Sequence, residues 1–268
     1  MLNILHIIND DLAKNHNHDE RYYGKLYIDA MLKNKADILR ENKFVYVSPN
    51  GVDSDDRDGS AAQPWRSIQY AVNRAPYVKG NYEYTVNIVG GTYSGFQALG
   101  VNIVFTLLGD VNITGSYNGG TNAIDITGSV IAIRSDNNII RKFTVNQQGT
   151  GGGSGWYIHN NSTISSYRVA FIVNGAGKDS GVGFELASNS TLSAFGPVGG
   201  DCGRLKVVGK NIGIKSTILS KVYAERVQAS NCSCGLKAET GSDIFATVAE
   251  NSADTQKSAD GTSRIIIG

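Results

Sequence analysis

His159, in the stretch GWYIHNN, stands beside Trp156 and Tyr157. That set has the chemistry to stack on a sugar ring, because aromatic faces suit the apolar side of a carbohydrate. The run QQGTGGGSG just before it reads as a protruding loop, the kind of place where binding function resides. The plainer alternative is an outward strand residue next to a core aromatic. Near the other end of the chain, HNHDERYY (His16 to Tyr23) sets two of the four histidines one residue apart, followed by two acids, an arginine and two tyrosines. Neither a buried core nor a flexible linker asks for that mixture. Hydrolysis of a glycosidic bond needs two carboxyl groups facing one groove. Glu185, Glu225 and Glu239 have polar or basic neighbours but do not fall at the same place in the repeat described below. Asp179 and Asp201, in the glycine loops GAGKDSG and GGDCG, read as turn formers. VDSDDRDG (Val52 to Gly59) reads as a solvated loop rather than a calcium cluster. No catalytic residue is assigned.

Composition limits what these residues can serve. Twenty-five basic and 24 acidic residues leave a formal charge of +1, so no field attracts a nucleic-acid backbone. Glycine, at 32 of 268, is well above its usual share of about 7 per cent, and only four prolines accompany it. With abundant Ser, Thr and Asn, this suits a turn-rich β chain. Cys202, Cys232 and Cys234 lack zinc-like spacing and read as buried structural thiols. The opening MLNILHII is too short for a membrane span and lacks the basic leader of a secretory signal, which predicts synthesis in a cytoplasm and no membrane insertion.

Three zones must position these groups. Residues 1–18 are irregular. Residues 19–42 read as a helical neck, with Ile28, Met31 and Ile38 on one stripe and Leu32 and Leu39 beside it. From residue 43 to 268 the apolar period becomes two. One helix, at about 64–75, interrupts it: Trp65, Ile68, Val72 and Ala75 share a stripe that Pro64 opens and Pro76 stops. The later stretches repeat one phrase, opening on Tyr157, Phe184, Ile214 and Leu236 at separations of 27, 30 and 22 residues, crossing a Ser/Thr/Asn turn, and resuming at Ile164, Leu192, Val222 and Phe245. Such periods belong to stacked repeats. The predicted fold is all-β, a right-handed parallel β-helix (solenoid) behind a short helical neck, with the Trp65 helix covering its N-terminal end. A β-sandwich is the competitor.

Two resemblances sharpen this reading. HNHDERYYGKLYIDAMLKNKADI resembles the His-x-His-Asp-x-Arg-Tyr-Tyr segment and short helix of tail-fibre and appendage proteins of tailed bacteriophages, with Gly24 where that family carries threonine. FVYVSPNGVDSDDRDGSAAQPWRSIQYAVNRA, with TVNIVGGTYSG after it, is similar to the opening of pectate-lyase-like β-helices. The first resemblance implies a homotrimer on a virion, attached by residues 1–18 to tail or baseplate proteins. Tyr22, Tyr23, Ile28, Met31 and Ile38 would then pack in the neck, and the β-helices would bind host surface polysaccharide. On a threefold axis His16 and His18 would offer six imidazoles to iron or another transition metal; hydrogen bonds to Asp19 or Glu20 across the trimer are the other use of the pair. The second resemblance admits a capsule or lipopolysaccharide depolymerase on the same scaffold. Spikes of that kind are usually longer than this chain, which favours a structural or receptor-binding appendage. A head fibre or capsid decoration is the third expectation.

Overall fold

The computed structural model describes residues 38–39, 41–78, 81–137, 139–147, 152–178, 180–196 and 204–268. The chain divides into the units Met1–Ile38 and Leu39–Gly268, and the β-helix belongs to the second. His16, His18, Tyr22, Tyr23, Ile28 and Met31 lie outside the described residues, as do Asp179, Asp201 and Cys202.

The strands stack in parallel register as three-sided coils. β1 (Ile38–Leu39) and β2 (Lys43–Val47) come first, then α1 (Ile68–Asn73) and β3 (Tyr77–Val78), which pairs with β1. The first full coil is β4 (Tyr84–Ile88), β5 (Gly91–Ser94) and β6 (Phe96–Leu99). The second is β7 (Asn102–Leu107), β8 (Val111–Thr114) and β9 (Ile124–Thr127). The third is β10 (Val130–Ser135), β11 (Arg141–Gln147) and β12 (Trp156–His159). β13 (Thr163–Tyr167), β14 (Val169–Gly175) and β15 (Val182–Leu186) make the fourth; β16 (Thr191–Phe195), β17 (Arg204–Val208) and β18 (Ile212–Ser216) make the fifth. In the last two coils one long strand covers two sides: β19 (Lys221–Ser230) precedes β20 (Cys234–Ala238), and β21 (Asp243–Ser252) precedes β22 (Thr255–Ala259). β23 (Arg264–Ile267) follows. The first face runs from β2 and β4 to β23, the second from β5 to β21, and the third from β6 through β9, β12, β15, β18 and β20 to β22. Each described ladder within the three faces is parallel, which excludes a sandwich of hairpin-linked antiparallel strands.

Alternation decides which side chains enter the core. On the third face Phe96, Ile124, Trp156, Phe184, Ile214 and Leu236 form one inward column, each a rung of about 4.8 Å from the next. Trp156 meets Phe143 and Phe171 edge-on, with ring centroids 5.1 and 5.4 Å away, and stacks on Phe184 at 6.3 Å. The repeat predicted from sequence is therefore right in kind and one residue out at two markers. Trp156, not Tyr157, is the inward partner of Phe184, and Ile244, not Phe245, continues the column of Val222. Phe245 instead stacks on Tyr223 with centroids 5.1 Å apart.

A serine ladder ties the corner after the third face. The hydroxyls of Ser162, Ser190, Ser220, Ser242 and Ser263 accept from the backbone N–H of Ser129, Ser162, Ser190, Ser220 and Ser242, at 3.1 to 3.3 Å. Ser190 is fully buried. Ser190→Ala therefore leaves the Ser162 N–H orphaned in the interior, and chemical denaturation is expected to show a loss of about 1–3 kcal/mol. The turns before Ser162, Ser190, Ser220 and Ser242 take left-handed backbone. Asn160 and Asn161, Ser188 and Asn189, and Thr240 and Gly241 supply it, yet the equivalent pair in the fifth coil is Ile218 (φ 53°) and Leu219 (φ 61°), both exposed. A β-branched residue is strained there. Ile218→Asn is expected to stabilise the fold by about 1 kcal/mol in the same assay.

A helix shorter than the predicted 64–75 packs against the N-terminal strands β2 and β6. Trp65, Ile68, Ala71 and Val72 are buried, and the Tyr84 hydroxyl donates to the Ala71 carbonyl at 3.0 Å. The helix begins at Ile68 rather than at about residue 64 because Trp65 bridges to Val47 in extended form. The Asp53 carboxylate accepts from the N–H groups of Arg66 and Ser67 and from the Ser67 hydroxyl, leaving Ser67 as the N-cap. Acids of VDSDDRDG are thus structural: Asp58 accepts from the Ser60 N–H, and Asp55 pairs with Arg74. The predicted neck helix is corrected at its end, since Ile38 and Leu39 are extended, with Leu39 buried in the core. Two adjacent apolar residues fit a strand as well as two helical stripes. No helix among the described residues is long and apolar enough to cross a membrane.

Candidate functional site

The outward positions of the third face carry an uninterrupted polar column. Parallel register aligns Gln97, Asp125, Tyr157, Glu185, Lys215 and Lys237 on β6, β9, β12, β15, β18 and β20. Leu99, Thr127 and His159 form the column beside it. Each of these strands reads apolar, outward residue, apolar or small: Ile124-Asp125-Ile126, Trp156-Tyr157-Ile158, Phe184-Glu185-Leu186, Ile214-Lys215-Ser216. The core columns on either side thus fix the backbone beneath the polar one.

Tyr157 and His159, two residues apart on β12, point the same way and stack, with ring centroids 4.2 Å apart and planes 20° from parallel. His159 Nε2 lies 3.0 Å from Asp125 Oδ1 and 2.7 Å from Thr127 Oγ1, and the Thr127 hydroxyl donates to Asp125 Oδ1 at 3.1 Å. On the other side of Tyr157, Lys215 Nζ pairs with Glu185 Oε1 at 3.1 Å, while the Ser154 hydroxyl donates to Glu185 Oε2 at 2.6 Å. Lys237 pairs with Glu239 at 2.8 Å. The side chains of Asp125, His159, Glu185 and Lys215 are 18 to 25% exposed, so they are held yet reachable from solvent. Burial first, and then the nearby Glu185 and Asp125 carboxylates, push the Tyr157 phenol above its ordinary range. It is a neutral hydroxyl at physiological pH.

This arrangement offers a fixed aromatic plate between two hydrogen-bonding groups. It is not a nucleophile–histidine–acid relay. There, one imidazole nitrogen takes the nucleophile's proton while the other is held by the carboxylate; here Asp125 and Thr127 both meet Nε2. Asp125 and Glu185 share a column two rungs apart, a backbone spacing of about 9.6 Å.

The predicted sugar-binding set is therefore divided. Tyr157 and His159 lie together on the outer surface. Trp156 does not join them: it is 1% exposed and enclosed by the core aromatics, because adjacent residues of a strand face opposite ways. Sequence reading missed Asp125 and Lys215, and found no alignment for Glu185. The recurring apolar-x-apolar triplet carried that signal, but marking the repeat by Tyr157 instead of Trp156 displaced it by one residue. Glu225 and Glu239 do not align with Glu185. Cys232 is buried and Cys234 half-buried, both as free thiols. Among the described residues no three His, Cys, Asp or Glu side chains gather as a metal site.

Compared with models of known protein families, with curated proteins and with solved structures, the chain finds no match.

Proposed function

We propose that this chain is a homotrimeric virion appendage of a tailed bacteriophage, a tail fibre or short tailspike whose β-helix contacts saccharide on the host surface. The stacked Tyr157–His159 pair, flanked in register by Asp125 and by Glu185 with Lys215, carries the saccharide part of this reading. A sugar's apolar face rests on an aromatic plate while its hydroxyls meet fixed acceptors and donors. HNHDERYY and the segment after it support the virion part by resemblance, with residues 1–18 as the attachment to tail or baseplate proteins. The test is retention of the purified protein on a panel of bacterial capsules and lipopolysaccharides, with antibody labelling of particles. Binding to one or a few members, with label at the tail, is the expected result. Label on the head would instead make it a head fibre or capsid decoration. Absence of binding to every member would remove the saccharide reading.

The shared column of Asp125 and Glu185 favours a second reading, a depolymerase on the same scaffold, since paired carboxyl groups cleave glycosidic bonds. Each carboxylate is already engaged, Asp125 by His159 and Glu185 by Lys215, which is why binding is the first reading. Release of oligosaccharides that stops in both Asp125→Asn and Glu185→Gln would reverse that order.

A further inference from the structure

At the corner between the second and third faces, one buried amine ties three coils together. Lys210, just before β18, has no exposed surface, and its Nζ donates to Gln147 Oε1 at 2.6 Å, to the Ser180 carbonyl at 2.7 Å and to the Gly153 carbonyl at 3.3 Å. An ammonium has three N–H donors, and here three neutral oxygens take them. Space around it is closed: a Cβ on Gly175 would lie 2.7 Å from Lys210 Cδ, and one on Gly153 would fall 1.8 Å from the Thr121 carbonyl oxygen. Gln147 passes the tie onward, donating to that same Thr121 carbonyl at 2.5 Å.

Gly153 leads to the outer face. The next residue, Ser154, receives its place from three bonds: its N–H donates to Asn122 Oδ1 at 2.9 Å, its carbonyl accepts from the Ala123 N–H at 3.0 Å, and its hydroxyl donates to Glu185 Oε2. The buried amine is thus one residue away from a group that holds Glu185 beside Tyr157.

We propose that Lys210 is a positioning residue for the outer face, its ammonium holding Gly153 and so Ser154 against Glu185, and that loss of its proton releases this hold. A neutral amine keeps two N–H donors and gains a lone pair, so one of the three oxygens must go unserved. The contact to Gly153 is the longest and is the one lost. Burial without a carboxylate partner brings the amine down to about 8, which puts the release in mildly alkaline solution. The groups facing it are the Gln147 amide from β11, the Gly153 and Ser180 carbonyls from their turns, and the Cys232 thiol from the turn after β19. Burial pushes Cys232 up, so it stays a neutral thiol while Lys210 titrates. Lys178, whose charge reaches Cys232, is paired with Asp254.

The reference to ligand rests on the proposed function; the release itself does not, and the experiment separates them. Amide hydrogen exchange of peptides covering residues 152–155 is followed by mass spectrometry from about pH 6.5 to about pH 9.5, corrected for the intrinsic pH dependence of exchange. Wild type is expected to lose about tenfold in protection between about pH 7 and about pH 9. Lys210→Met, which keeps the stem without the amine, should show low protection and no step. Gln147→Glu, which sets a carboxylate beside the ammonium, should move the step to higher pH, and it serves if the methionine variant does not fold. A flat wild-type profile, or an unchanged step in Lys210→Met, overturns the proposal. Saccharide affinity that follows the step supports it, and pH-independent affinity alongside the step removes the claim that Lys210 positions the outer face. A step in a protein that binds no saccharide counts against the proposed function alone.

Discussion

Trp156→Ala is expected to lower stability by about 3–5 kcal/mol, the range for emptying a buried aromatic site. The indole fills the inward column between Ile124 and Phe184 and touches Phe143 and Phe171 from the second face, so its loss opens a cavity shared by three coils. In a stack where each coil rests on its neighbours, the surrounding rungs have little room to collapse. For a chain of this size the melting temperature should fall by roughly 6–15 °C, read by calorimetry. Trp156→Phe should cost far less, because the buried indole N–H has no hydrogen-bond partner among the described residues and its removal forfeits nothing polar. Equal losses in the alanine and phenylalanine variants would contradict this account of the core.

The neighbouring substitution should behave in the opposite way. Tyr157→Ala removes a half-buried outward ring, and stability is expected to change by less than about 1 kcal/mol. Its effect should fall on saccharide binding, with affinity reduced about 30-fold, the roughly 2 kcal/mol of a central aromatic contact. His159→Gln should give a smaller loss, since the Tyr157 plate remains while the stacked ring and the Asp125 contact are altered. Titration calorimetry against the saccharide bound by wild type measures both. Should Tyr157→Ala bind as wild type does, the third face would not be the contact surface.

Much of this fold was legible in the chain because a solenoid repeats its instructions. Apolar residues alternate with polar ones on strand after strand, and the Trp65 stripe between Pro64 and Pro76 marks the covering helix. Phase was harder to read than period. In GWYIHNN both Trp156 and Tyr157 are aromatic, and choosing the wrong one as the inward residue sent Trp156 to the surface and hid Asp125, Tyr157, Glu185 and Lys215 as a column. Coils of unequal length add to this, since Asp125 and Glu185 are brought together by register, not by any fixed spacing. The Lys210 cage has no sequence signal at all: its acceptors are two backbone carbonyls and one amide drawn from other coils. The helix predicted to end at about residue 42 failed where Ile38 and Leu39 are extended.

The appendage reading stands on three chains meeting, and the mass of this chain's assembly in solution tests that most directly. Light scattering after size exclusion is expected to give three times the chain mass of 28.6 kDa, about 86 kDa. A single species of one chain mass at micromolar concentration would contradict it, leaving the β-helix to act alone.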